Sequence, residues 1–436
     1  MSWNQATSHH TAICEIHLEQ LDQGIGDLHG YEQAFVVYRL RGSVVGQAWA
    51  RVQQGSIAPA ALRVHLPAMA WQIWQLLMDS ETSAAQPVPT ASVVVCTRDR
   101  TADLANCLPG LQRLATQGHD VIVVDSCPAT DDTARLMARY PALRYIHEPR
   151  PGLDVARNRG LLAARGEVVA FTDDDAQVDP GWLAALLHNF ADPMVALVTG
   201  ITMPLELETE AQIWFERTNG FGRGFVRKQF DNISTEPLAA GQVGAGVNMA
   251  IRRSALDHIG LFDEALDCGT ASRSGGDQEF FYRVLARGYR VIYEPAALVW
   301  HRHRREWSAL QQALYGYGVG VFAWWTRTLL VERELALLKV GPSWFCKHYI
   351  GGLVKVLLKR PGHMPRDLAW AEFRGALVGA RSYLRARNAL RRQQVPLVAQ
   401  PLAQVHEQPS ADTLEQAGMP AVGQTLLPPN QHVEAL

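Results

Sequence analysis

The stretch Glu167-Val-Val-Ala-Phe-Thr-Asp-Asp-Asp-Ala-Gln-Val-Asp-Pro-Gly-Trp182 decides how the chain is read. Residues 168–171 form a short apolar β-run that stops in three consecutive carboxylates, Asp173, Asp174 and Asp175. Neighbouring like charges disfavour one another's ionised form unless something positive sits among them. A divalent cation is the obvious neutraliser. Asp173 and Asp175 stand in D-x-D spacing, so the turn after a buried strand can offer both to Mg²⁺ or Mn²⁺, ions that prefer oxygen ligands and bridge phosphates. Asp179-Pro-Gly-Trp182 then turns the chain into a new helix. A D-x-D pair alone is common by chance, and clustered Asp is often solvated turn chemistry, so the surroundings carry the weight.

Upstream, apolar β-runs at 92–96, 121–125, 143–147 and 168–171 alternate with helical stretches near 101–117, 131–140 and 154–164. Such alternation predicts an α/β fold with a mostly parallel, Rossmann-like sheet flanked by helices, its ligands gathered at the carboxyl ends of the strands. Polar residues stand at those ends. The first strand closes in Thr97-Arg98-Asp99-Arg100 and the second in Asp125-Ser126. An Asp there can accept from a nucleobase or ribose, while Thr and Arg suit a base edge and phosphate. Each taken singly is equally a helix cap or turn residue. The next helix opens with Asp154, read as its cap, and brings Arg157 and Asn158 near the pocket.

Composition sets the frame. With 436 residues and 47% AVILMFWYC, the chain has ample material for a core. Its net charge of −2 provides no global attraction to nucleic acid, which is not expected as a partner. Six scattered cysteines without a C-x-x-C pair fit neither a zinc site nor a disulfide framework and suit a reducing cytosol. The first residues show no basic and apolar signal-peptide pattern, so the expected location is cytoplasmic.

The expected organisation is a small accessory β/α module over 1–80, a polar, Pro-containing linker over 81–90, a catalytic domain over 91–305, a helical basic region over 306–394 and a disordered tail over 395–436. In the first module, strands at 34–40 and 43–49 flank the turn Arg41-Gly42, and 59–79 reads as a helix. Residues 307–326 are uncharged, but Ser308, Gln311, Gln312, three Gly and two Tyr make them too polar for a membrane span. Residues 341–394 hold eleven Lys/Arg against two acids, Asp367 and Glu372. Amphipathic helices on an anionic membrane surface, on the inner face of the membrane, and an ordinary solvated basic face are both open here.

At this point the motifs resemble glycosyltransferase family 2. They are SVVVCTR, VIVVDS, GLDVARNRGLLAARGEVVAFTDDD, GAGVNMAIRRSAL and SGGDQEFFYRVLARGYRVIYEPAALVWH, in order from about Ala91 to His303. The resemblance implies the GT-A fold, a nucleotide-sugar donor, metal dependence through Mn²⁺ or Mg²⁺, and inversion at the transferred sugar. It implies Asp277 as the general base with Glu279 as its backup or an acceptor ligand. It implies Asn248 beside donor or acceptor hydroxyls, Asp173 or Asp174 on the ribose, and Asp175, with Asp173, on the metal. His301, just after a strand, would complete the metal shell. Thr97, Arg98, Arg100, Asp125 and Arg157 fall on the donor side. The sequence departs from the family pattern at Cys96, at Arg98-Asp99 and at Gly276, where Glu is usual.

The activity expected is transfer of a sugar, from a UDP-sugar in particular, to a hydroxyl of a glycolipid or polysaccharide acceptor. A nucleotidyltransferase would carry a Gly- and Lys/Arg-bearing loop after the first strand, and 97–105 has neither Gly nor Lys. A catalytically silent nucleotide-sugar-binding protein of a membrane assembly would have lost the base or the metal ligand.

Overall fold

The structure is a computed structural model that describes residues 10–79, 88–360 and 362–392. Most of the expected linker and the whole expected tail lie outside the described residues.

A three-stranded sheet comes first. Strands β1 (Thr11–His17), β2 (Gln33–Leu40) and β3 (Ser43–Arg51) lie in that order, β1 parallel and β3 antiparallel to β2. Arg41 and Gly42 both adopt positive φ, the geometry a two-residue hairpin turn requires. Strand β2 is buried on both faces. Alternation sends Ala34, Val36 and Tyr38 toward the helices α1 (Pro59–Arg63) and α2 (Leu66–Asp79), and sends Phe35 and Val37 into an apolar cluster with Ile201, Met203 and Leu298 of the large sheet. The helix expected over 59–79 is thus two helices, and Trp71, Trp74 and Met78 stay exposed.

The large sheet has nine strands: β4 (Ala91–Thr97), β5 (Asp120–Ser126), β6 (Arg144–Glu148), β7 (Val168–Asp173), β8 (Ala176–Val178), β9 (Val195–Pro204), β10 (Lys228–Phe230), β11 (Asn248–Arg252) and β12 (Arg290–His301). Their order is β10-β12-β9-β11-β7-β4-β5-β6, with β8 paired to β12. The half built by strand and helix alternation is parallel: β4 pairs with β5 and β7, and β5 with β6. In the other half β11 runs antiparallel between β7 and β9, so the whole sheet is mixed. Strand β12 is parallel to β9 and therefore points the same way as β7. The ends of β4, β5, β7 and β12 and the start of β11 consequently share one sheet edge.

The sheet is covered on both sides, as its near-continuous apolar runs demand. Val94, Ile122 and Phe171 pack in one cluster with α5 (Leu153–Ala163) and α9 (Gly276–Ala286). Val93, Val123 and Ala170 pack in the other with α3 (Thr101–Thr116), α4 (Asp132–Met137) and α6 (Trp182–His188). The short α7 (Glu210–Asn219) and α8 (Leu256–Ile259) follow β9 and β11. Beyond the sheet run α10 (Trp307–Arg327), α11 (Leu337–Phe345), α12 (Gly351–Leu357) and α13 (Arg366–Arg392). Helices α10 and α13 cross so closely that a Cβ at Gly318 or Gly375 would overlap a backbone carbonyl of the other helix, of Glu372 and Tyr315 respectively. Among the described residues no helix is long and apolar enough to cross a membrane.

Candidate active site

The shared sheet edge opens into a cavity of about 660 Å³ lined by Asp173, Asp277, His301, Arg157, Arg304 and, from α10, Tyr317. Its floor is the acidic turn. Asp173, Asp175 and His301 each offer a ligand atom within 4.8 Å of the others. His301 Nε2 lies 3.1 Å from Asp175 Oδ1. The sheet register sets this up, because His301 pairs with Ala176, next to Asp175.

Part of the neutralising charge comes from the protein itself. Arg100 donates to Asp174 Oδ1 at 2.7 Å and to Asp175 Oδ2 at 2.5 Å, while Thr97 Oγ1 donates to Asp174 Oδ2 at 2.8 Å. Burial favours the neutral acid at Asp175, but His301 and Arg100 overcome it and hold the carboxyl well below the usual range. Asp174 has the opposite balance: burial prevails and pushes it up to about 7. Both its oxygens are occupied within the protein, so Asp174 braces the turn. Asp173 is half-buried and lines the cavity, as a ligand-facing group must.

A second carboxylate cluster forms the opposite wall. Asp277, in the first turn of α9, accepts the Gly246 N–H on Oδ2 at 2.9 Å and the Gln278 N–H on Oδ1 at 2.8 Å. Its carboxyl is raised by burial first and by the nearby Asp267 second, with Arg157 opposing. Arg157 Nη1 donates to Asp154 Oδ1 at 2.9 Å and to Asp267 Oδ2 at 2.8 Å. Asp154 is not the cap of α5. Gly152 holds that position and Asp154 lies fully buried in the first turn, with Oδ2 unpartnered. A Cβ on Gly276 would overlap that same Oδ2, which is why the residue before Asp277 has no side chain.

The aromatic wall comes from the segment between β9 and β11. Phe221 meets the His301 ring edge-on at 5.4 Å, and Phe215 meets His303 at 4.8 Å. His303 Nε2 sits 2.9 Å from Glu216 Oε2. Burial keeps His303 neutral and pushes Glu216 up to about 8. Arg304 reaches into the cavity, 3.6 Å from Asp175 Oδ2.

Comparison with known proteins gives this geometry a family. The model of glycosyl transferase family 2 matches residues 92–260. An uncharacterized glycosyltransferase of Mycobacterium tuberculosis is 31% identical over 186 residues, which cover 42% of this chain and 76% of the relative. The chain belongs to glycosyltransferase family 2.

The pre-mycofactocin glycosyltransferase of Mycobacterium tuberculosis is 34% identical over 224 residues, 48% of this chain. The matched stretch spans only 44% of that relative's length. Among solved structures, a mannosyltransferase from Pyrobaculum calidifontis in complex with GDP-Man and Mn²⁺ is similar at 17% identity and TM-score 0.41, over 81% of this chain and 88% of its own. Membership sets aside the nucleotidyltransferase reading.

In this glycosyltransferase the Asp173, Asp175 and His301 group is able to hold a metal ion. Asp175 Oδ1 is buried with the His301 imidazole beside it at 3.1 Å, and two carboxylates with an imidazole suit a divalent ion. Two other sequence-derived residues do not face the cavity. Asn248 is fully buried and spent: it donates to Ile201 O and Ala297 O, each at 2.8 Å, and accepts from Trp182 Nε1 at 2.8 Å. It staples β11, β9 and β12 together. Glu279 is held by Arg283 at 2.7 and 2.8 Å and by Arg327 at 2.7 Å. Two residues beyond Asp277 on a helix, it points about 200° away, into the core.

Arg98 is exposed and lies 3.6 Å from Asp99, while Asp99 Oδ1 accepts the Ala129 N–H and ties the loops after β4 and β5 together. Asp125 accepts from Tyr145 on Oδ2, and its buried Oδ1 has no partner. Asp267 and Glu216 carry no recognisable motif, while His303 stands beside His301, the one the sequence favours because it directly follows the strand. Asp267 precedes no strand or helix signal, and Glu216 sits within an aromatic run that reads equally as core.

Proposed function

We propose that this glycosyltransferase moves a sugar from a UDP-sugar to a hydroxyl of a glycolipid or polysaccharide acceptor, with inversion, using Asp277 as general base. The observation that carries the reading is the convergence of two groups in one cavity. A three-ligand acidic and imidazole group lies on one wall, and on the other lies a half-buried carboxylate fixed through both oxygens by backbone N–H donors.

On the donor side, Asp125 is assigned to a nucleobase donor such as the imide N–H of uracil, and Asp173 to the ribose. Asp173, Asp175 and His301 would hold Mn²⁺ or Mg²⁺, which when bound stabilises negative charge on a departing diphosphate. Arg304 adds a cation on the same wall. On the acceptor side, the hydroxyl oxygen attacks the anomeric carbon as the bond to the diphosphate breaks, and its proton passes to Asp277. A carboxyl raised by burial is a better proton acceptor at neutral pH than a solvated one. Asp267 and Arg157 hold opposite charges beside it and set its basicity.

The test is a calorimetric titration of the protein with UDP and with GDP, each with Mn²⁺ and with EDTA. Metal-dependent binding of UDP in preference to GDP is the expected result. Absence of binding by either nucleotide in the presence of metal would remove the donor site, and preference for GDP would correct the base.

A further inference from the structure

The helices that follow the reaction cavity bury only a narrow stripe. Leu337, Gly341, Tyr349 and Val356 turn inward, four, eight and seven residues apart through α11, a π-helical turn (Cys346–Ile350) and α12. The side left outward is apolar rather than polar. Ile350, Val354 and Leu357 stand three and four residues apart on one face, with Lys347 at the same spacing before them, and all are exposed. Leu357 is 74% exposed. From Leu335 to Arg366 the sequence contains six Lys/Arg and no acid.

Helix α13 repeats the arrangement independently. Trp370, Leu377 and Leu384 recur every seven residues and are 51%, 60% and 44% exposed, and Arg374 and Arg381 interleave with them, also exposed. A solvated basic face would place polar residues at those positions. No acid interrupts the pattern from Leu335 to Arg366, and in α13 the cations outnumber Asp367 and Glu372. Apolar side chains with interleaved cations match the chemistry of an anionic lipid surface, where the apolar residues enter the acyl boundary and the cations meet headgroup phosphates.

This face adjoins the site. A groove bordered by Arg374, Leu377 and Val378 of α13 and Tyr315 of α10 also takes in Arg273 and Gln312, which line the reaction cavity as well. We propose that α11 to α13 seat this glycosyltransferase on an anionic phospholipid bilayer, with the reaction cavity opening beside the seated face. The seat itself does not depend on the donor and base assignments above.

Flotation of the full chain with vesicles tests this. Vesicles of phosphatidylcholine alone are compared with vesicles that also contain phosphatidylglycerol, at low and high salt. The protein is expected to float with the anionic vesicles, less so as salt rises, and not with the neutral ones. The double variant Lys347→Glu/Lys355→Glu should lose at least about tenfold in partitioning, since each cation near such a surface is worth about fivefold. Ile350→Glu/Leu357→Glu should abolish flotation, and Leu377→Glu should weaken it through the second helix.

UDP titration of each variant reports folding, and UDP binding should be unchanged. Failure of the native chain to float while it binds UDP would overturn the proposal. So would a concentration-dependent dimer that Leu357→Glu dissolves, because a second copy would then cover the face. If UDP fails to bind but the protein floats, the donor reading fails and the bilayer seat stands.

Discussion

Two clusters line the cavity, and in each an arginine binds two of three aspartates. On the metal side Arg100 takes Asp174 and one oxygen of Asp175, which leaves Asp175 Oδ1 to His301. On the base side Arg157 takes Asp154 and Asp267, which leaves Asp277 to two backbone N–H groups. The difference lies in which carboxylate the arginine leaves alone. In both clusters the arginine offsets the repulsion among buried acids while the remaining oxygens stay available for chemistry. One cluster is arranged to hold a charge and the other to accept a proton, so their failures should separate.

The largest effect should come from the metal side. Asp175→Ala removes a ligand atom and should weaken Mn²⁺-dependent UDP binding by at least about 100-fold in calorimetry, against the 10- to 100-fold typical of losing only a supporting residue. Retention of metal-dependent binding would break the contrast between the clusters. Next, Gly276→Ala forces a methyl onto Asp154 and should shift the Asp154 and Arg157 pair. UDP release from a UDP-sugar should slow by about tenfold or more, with a stability loss of about 1–3 kcal/mol in thermal unfolding.

The pH profile sharpens the base assignment. Burial raises the Asp277 carboxyl, so the ionised, proton-accepting form is lost at a higher pH than for a solvated carboxylate. Turnover should therefore rise with pH and level off, falling about tenfold per unit on the acid side. Metal-dependent UDP binding, set by other groups, should not follow that curve. Asn248→Ala is expected to act on stability alone, by about 1–3 kcal/mol, because it strands two buried carbonyls and an indole N–H. Arg98→Ala should do least, leaving UDP affinity within about twofold, since the side chain is exposed.

How legible this was depends on range. The parallel half of the sheet was readable because its strands are uninterrupted apolar runs ending in polar residues, and Asp277 was singled out by the family resemblance of SGGDQEFFYR, since its place at a helix start reads by itself as a cap. Asn248 was not readable: its carbonyl partners are 47 and 49 residues away, and the family resemblance implied a ligand contact instead of a staple. The role of Arg39 was equally hidden, since it reaches from the first sheet to Asp179, 140 residues on, at 2.6 Å. Glu279 carried a usable signal. Helical rotation alone sets it on the far side of α9 from Asp277. Arg100 as a built-in counter-charge was missed because three adjacent acids invite a metal before an arginine from another loop.

The most direct test of the account compares Asp277→Asn with the unaltered protein in two assays: calorimetric binding of UDP with Mn²⁺, and release of UDP from a panel of UDP-sugars. Binding within about twofold, together with a loss of about 100- to 10,000-fold in release, is the expected result for a group that acts only in proton transfer. Release that survives the substitution would contradict the base role. Loss of UDP binding in step with release would instead place Asp277 in the donor site, and the division between the two clusters would fall.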